Sequence, residues 1–84
     1  MKNMDCIKLH ILSPEGTLAE VMAEVVELPG AKGRFEVLKD HAALLSSLDK
    51  GAIRWRNAEG EGSLDIKEGF VEVGNNEIKA CVEV

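Results

Sequence analysis

The sequence predicts an all-β fold, a flattened sandwich or barrel of short strands. Three observations predict it. Apolar residues recur at every second position through much of the chain, and turn-forming clusters interrupt them every ~8 to 12 residues. No stretch holds apolar residues at helical spacing long enough for a confident helix.

Ile7, Leu9 and Ile11 alternate with Lys8 and His10, the period of a strand with one buried face. Ser13-Pro14-Glu15-Gly16 ends it, because proline presets the second position of a turn and glycine accepts a positive φ without steric cost. Val21 to Leu28 is rich in β-branched residues with few polar breaks, so the expectation is one strand covered on both faces. Pro29-Gly30 and Gly33 punctuate the next link, and Arg34 to Leu38 reads as a short strand. Ala42 to Leu48 fits two descriptions, because Leu44, Leu45 and Leu48 suit one helical face as well as a short buried segment.

The second half of the chain is clearer. Ile53 and Trp55 alternate with Arg54 and Arg56, and Leu64 and Ile66 with Asp65 and Lys67. Ile78, Ala80, Val82 and Val84 alternate with Lys79, Cys81 and Glu83. These are three half-buried strands, and Phe70 to Val73 supplies another. Ala58 to Gly62 and Gly74-Asn75-Asn76 provide the turns between them. With no internal repeat or low-complexity tract, residues 1–84 read as a single domain.

A chain of 84 residues has room for one small core. Such a domain hides only about 60 to 65% of the surface its unfolded chain exposes, which suits a component of an assembly. Ten Lys plus Arg against fifteen Asp plus Glu give a net charge of −5. The basic residues are scattered among acidic ones, so nucleic acid is excluded as a partner. Cys6 and Cys81 stand at opposite ends of the sequence without neighbouring ligands, which argues against a metal site. With no signal peptide, free thiols are expected rather than a disulfide. No apolar run approaches the ~20 residues that span a bilayer, so any membrane association is indirect.

Each motif that suggests chemistry has a plainer reading. Gly30-Ala31-Lys32-Gly33 has the form of a phosphate- or RNA-clamping loop, but its flanks are strands, so the glycines shape a turn. Asp40-His41 invites acid–base chemistry, yet neighbours on an extended chain point to opposite faces, and His41 reads as a surface or interface residue. His10 is expected to point outward into solvent. Arg54-Trp55-Arg56 could form a stacking platform, but alternation puts the indole opposite both arginines. Glu59-Gly60-Glu61 and Asp49-Lys50-Gly51 read as hairpin turns without the ligand density of a calcium loop. The residues therefore describe a binding module with no catalytic residue, cofactor or metal. A peptide- or carbohydrate-binding sandwich is the alternative reading, weakened by the scarcity of aromatic side chains.

The order of three segments adds to this reading. LHILSPEG, then VVELPGAKGRFEVLKDHAALLSSLDKGAIRWR, then EGFVEVGNNEIKACVEV, resembles the N-terminal domain of the epsilon subunit of bacterial F-type ATP synthase, whose mitochondrial counterpart is called delta. The resemblance runs from about Ile7 to Val84. It implies a flattened β-sandwich of about ten strands at the foot of the rotating central stalk, a non-catalytic part that couples ion-driven rotation to ATP synthesis. The implied partners are the gamma subunit, met at Ser13, His41 and Ser46, and the ring of c subunits, met at Lys32, Gly33 and Arg34. The implied location is the cytoplasmic face of the bacterial inner membrane, reached through the complex. The sequence departs from the family pattern at Glu36, Lys39-Asp40 and Ala43, where members often have glycine, a proline-containing pair and proline. It departs also at Arg34, which is acidic in some relatives. Members commonly continue into a pair of C-terminal helices, whereas this sequence stops at Val84. No nucleotide site and no inhibition by an extending helix are expected of this chain.

Overall fold

Ile7, Leu9 and Ile11 do alternate into the interior, and with them begins the first of nine strands in a computed structural model that describes residues 6–84. In chain order these are β1 (Ile7–Ser13), β2 (Gly16–Ala23), β3 (Val25–Gly30), β4 (Gly33–Val37), β5 (Leu44–Leu48), β6 (Gly51–Asn57), β7 (Gly60–Ile66), β8 (Glu68–Gly74) and β9 (Glu77–Glu83). The ambiguous Ala42–Leu48 segment resolves into a strand over Leu44–Leu48, and the fold is all-β. Nine strands, against about ten from the resemblance, form a curled sheet in the order β2-β1-β9-β8-β5-β3-β6-β7, with β4 on the other side of β3.

Curling folds the sheet into two layers. The first holds β2, β1, β9, β8 and β5; the second holds β4, β3, β6 and β7. They meet at a corner where Gly30 pairs with Leu48, Ala31 donates its N–H to the Ser47 carbonyl at 2.9 Å, and Asp49 donates to the Pro29 carbonyl at 2.8 Å. On the other side, Glu24 N donates to the Arg56 carbonyl at 2.8 Å and Asn57 Nδ2 to the Met22 carbonyl at 2.9 Å. The resulting body is flattened, with extents of 34 × 24 × 18 Å.

Here the expectation of one strand over Val21–Leu28 is corrected. The chain bends at Glu24 and passes from the first layer to the second, so β2 and β3 are separate strands. Each has one inward face: Met22 is exposed, Ala23, Val26 and Leu28 are buried, and Glu27 faces outward beside its arginine partners. The register of β1 with β2 also slips between Ile11 and Leu12, the irregularity of a β-bulge at a sheet edge.

The core is a single apolar cluster drawn from every strand, including Leu9, Ile11, Leu28, Ile53, Val71 and Ile78. Trp55 packs partly buried against it, opposite the exposed arginines as alternation requires. Its indole lies over Gly62, its partner on β7, where any Cβ would collide with the ring. The β8–β9 turn puts Asn75 and Asn76 at φ 51° and 59°, the pair of positive values that a two-residue hairpin turn requires.

Two outcomes test this packing. Leu9→Ala should lower unfolding free energy by about 2–5 kcal/mol. That is a large share of the ~4–13 kcal/mol expected of a chain this long, measured by urea unfolding. Gly69→Ala should cost about 1–3 kcal/mol, because the added Cβ would press on the Cys81 carbonyl and stand 2.9 Å from Val82 Cα, backbone that cannot swing aside.

Candidate functional site

Strand parity that buries Val71 and Val73 turns Phe70 and Glu72 outward, and the same rule on β9 buries Ala80 and Val82 while turning Cys81 outward. Register then aligns these positions. Leu12 on β1 lies beside Cys81 on β9, Cys81 opposite Phe70 on β8, and Phe70 opposite Ser47 on β5. Leu45 pairs with Glu72 and so sits diagonally from Phe70 on the same outer face. Phe70 is 58% exposed and Leu45 is 74% exposed. An apolar row thus crosses β1, β9 and β8 on the outside of the first layer, with Leu45 of β5 on its diagonal, where isolated sheets usually place polar side chains.

An open groove of about 800 Å³ follows this row. Leu12, Phe70 and Cys81 line it with Pro14, and Asp49, Glu68 and Glu83 stand along one end. The next row across the face is charged instead: His10 neighbours Glu20 and Lys79, and Lys79 neighbours Glu72. His10 is half-buried, its Nε2 3.3 Å from Thr17 Oγ1.

The residues singled out in the sequence are not gathered into one place. Ser13 borders the groove, and its Oγ accepts the Glu15 N–H at 3.2 Å and donates to the Gly16 carbonyl at 3.3 Å, closing the β1–β2 turn. His41 lies at the opposite end of the sheet, exposed in the loop before β5, where Asp40 N donates to Asn76 Oδ1 at 2.6 Å. Ser46 is paired with Val71 and shares its inward face, with Oγ donating to the Ser47 carbonyl at 3.0 Å. Lys32 lies with Ala31 in the exposed β3–β4 turn, and Gly33, at φ 129°, leads out of it into β4. Arg34 is turned back along the sheet. Its Nη2 donates to the Ala52 carbonyl at 2.9 Å and lies 3.3 Å from Glu27 Oε1, which also faces Arg54 at 3.9 Å.

Asp40 and His41 do not form an acid–base pair. The Asp40 carboxylate accepts from Asn76 Nδ2 at 3.2 Å, and His41 Nδ1 donates to the Ala42 carbonyl at 2.7 Å. Cys6 and Cys81 are free thiols. Leu12 rather than Cys6 is the β1 neighbour of Cys81, which leaves the thiols about 20 Å apart along the strand. Among the described residues, no group of three or more His, Cys, Asp or Glu is arranged to hold a metal ion. What the surface offers is contact: an apolar row, a carboxylate rim and a stiff sheet beneath them. Leu12, Leu45, Phe70 and Cys81 were missed as site residues in the sequence, although the parity of Phe70 against Val71 and Val73 was a readable signal.

Comparison with known proteins agrees with this architecture. A family model described as ATP synthase, Delta/Epsilon chain, beta-sandwich domain matches residues 6–84. The ATP synthase epsilon chain of a Nitratiruptor species is 41% identical over 81 residues, covering 95% of this chain and 63% of that protein. The epsilon chain of a Sulfurovum species is 37% identical with the same coverage, so this chain spans less than two thirds of these relatives. Among solved structures, a chain of the Euglena gracilis mitochondrial ATP synthase, OSCP/F1/c-ring, superposes with a TM-score of 0.84 at 16% identity, over 92% of this chain and 50% of that one. A chain of the Tetrahymena thermophila mitochondrial ATP synthase central stalk and c-ring does so at 0.75 and 17%, over 92% and 63%. At such identities the two superpositions speak for the fold, and it is the family model and the curated relatives that carry descent: the chain belongs to the β-sandwich domain family of ATP synthase delta/epsilon chains.

Proposed function

We propose that this domain is a central-stalk component of a proton- or sodium-translocating F-type ATP synthase, docking the gamma subunit on the outer face of β1, β9, β8 and β5. Lys32, Gly33 and Arg34, at the β3–β4 turn, meet the c-subunit ring. In this role the domain couples ion-driven rotation to ATP synthesis and performs no bond chemistry itself. It lies at the cytoplasmic face of the bacterial inner membrane, held there through the complex.

One observation carries the proposal: an apolar row of half-buried Leu12 and Cys81 and exposed Phe70 lies on the outer face of a continuous hydrogen-bonded sheet. Exposed apolar area of this kind marks interaction surfaces, and aromatic side chains are enriched at their centres. Ser13 flanks the row, and His41 extends the contact to the other end of the face. Ser46 faces inward with Val71, its hydroxyl bonded to the neighbouring carbonyl, and supports the contact only through the β5 backbone. At the ring, Lys32 takes part in no ion pair among the described residues, whereas Arg34 is held against Glu27 and Ala52.

Calorimetric titration of the chain with the gamma subunit of its own organism should give saturable one-to-one binding. At a hundred times Kd, linkage stabilises the domain by about 2.7 kcal/mol, a rise in Tm of roughly 10–20 °C. In a Cys6→Ser background Cys81 should alkylate readily in the free chain and be protected in the complex. Phe70→Ala should weaken binding at least about tenfold, or ~1.4 kcal/mol, with little change in stability. Absence of binding, or a Cys81 that stays reactive at saturation, would overturn the assignment. Lys32→Ala should leave gamma affinity unchanged and reduce retention of the gamma-bound pair on isolated c-rings, measured by co-sedimentation.

A further inference from the structure

The rim of the Phe70 groove contains an electrostatic arrangement that the fold itself does not need. Glu68 on β8 and Glu83 on β9 are direct cross-strand partners, and parity puts both on the outer face with Phe70 and Cys81. Like charges directly opposite one another in an antiparallel pair destabilise it. A second such pair, Glu27 opposite Glu36, lies on the other layer, but there Arg34 and Arg54 stand 3.3 and 3.9 Å from Glu27. Among the described residues neither Glu68 nor Glu83 takes part in an ion pair, and Lys67, the neighbouring cation, is paired with neither carboxylate. Asp49 adds a third carboxylate, and the groove lining includes no Lys or Arg.

Resting on the docking face proposed above, we infer that the groove receives a cationic segment of the gamma-type partner, an apolar anchor on Phe70, Leu12 and Cys81 with a Lys or Arg placed between Glu68 and Glu83. The incoming cation replaces the repulsion of the two carboxylates with attraction, and the anchor covers apolar surface that water now wets. A small molecule fits the groove poorly, because binding sites for such ligands enclose most of the ligand's surface and this groove is open along its length. A second copy of the chain fits poorly too. It would bring its own carboxylates, on a chain of net charge −5, against these three.

The signature is a pair of opposite signs. Glu68→Gln and Glu83→Gln, alone and together, should raise the Tm of the free chain by about 1–5 °C as the repulsion is removed. The double variant should weaken gamma binding about three- to tenfold at low salt. Wild-type affinity should fall as salt rises from about 50 to about 300 mM and the screening length shortens by roughly half, and the double variant should respond less. Glu36→Gln, on the other layer, should leave affinity unchanged. Wild-type binding that is lost in Phe70→Ala yet indifferent to both glutamates and to salt would overturn the inference and leave the docking face standing. Binding absent in wild type, or unaffected by Phe70→Ala, would remove the docking face and the inference with it. Concentration-dependent dimerisation of the chain, abolished by Phe70→Ala in sedimentation, would assign the groove to a second copy and overturn it as well.

Discussion

The parallel pairing of β1 with β9 is the constraint on which the architecture depends. It joins the first strand to the last in the middle of the first layer, with Lys8 beside Glu77 and Leu12 beside Cys81. Without it β1 and β2 would be a hairpin detached from β8 and β5, and neither the shared core nor the outer face would exist. The loop it closes is most of the chain. Closure of long loops costs only logarithmically more entropy than closure of short ones, so the topology is thermodynamically tolerable. Its contacts are nevertheless remote in sequence, which is the condition for slow folding.

The two outer faces treat charge differently. On β3, β4 and β6 Glu27 is held between Arg34 and Arg54. On β8 and β9 carboxylates are left opposed beside an apolar row. A surface finished by internal ion pairs has little to gain from a partner, whereas an unfinished one has both apolar area and repulsion to relieve. The asymmetry distinguishes the two faces without reference to any relative.

Much of the fold was legible in the sequence because its signal is local. Period-two alternation located the strands around Ile7–Ile11, Ile53–Trp55, Leu64–Ile66 and Ile78–Val82, and turn chemistry located the hairpins at Pro14-Glu15 and Asn75-Asn76. The break at Glu24 was hidden. It is made by a hydrogen bond to Arg56, remote in sequence, inside a run whose composition favours one unbroken strand. The apolar row was partly legible: the outward parity of Phe70 and Cys81 can be read from either strand alone. That they line up with each other and with Leu12 depends on register, which no single strand encodes. The hold of Glu27 and Ala52 on Arg34 was likewise invisible, since it joins three strands.

The corner at Gly30 and Leu48 has a mechanical consequence. The β3–β4 turn hangs from the end of β3, and the nearest route from it to the outer face runs through Ala31 to Ser47, Gly30 to Leu48, and Pro29 to Asp49. Ser47 is the cross-strand neighbour of Phe70, so this load path is only a few hydrogen bonds long. Bonds that lie between two strands pulled lengthwise are strained together, in shear, and yield as a group, whereas bonds at a peeling end yield one at a time. A tangential force on the turn therefore meets a short, stiff spring whose weakest section is the seam between the layers.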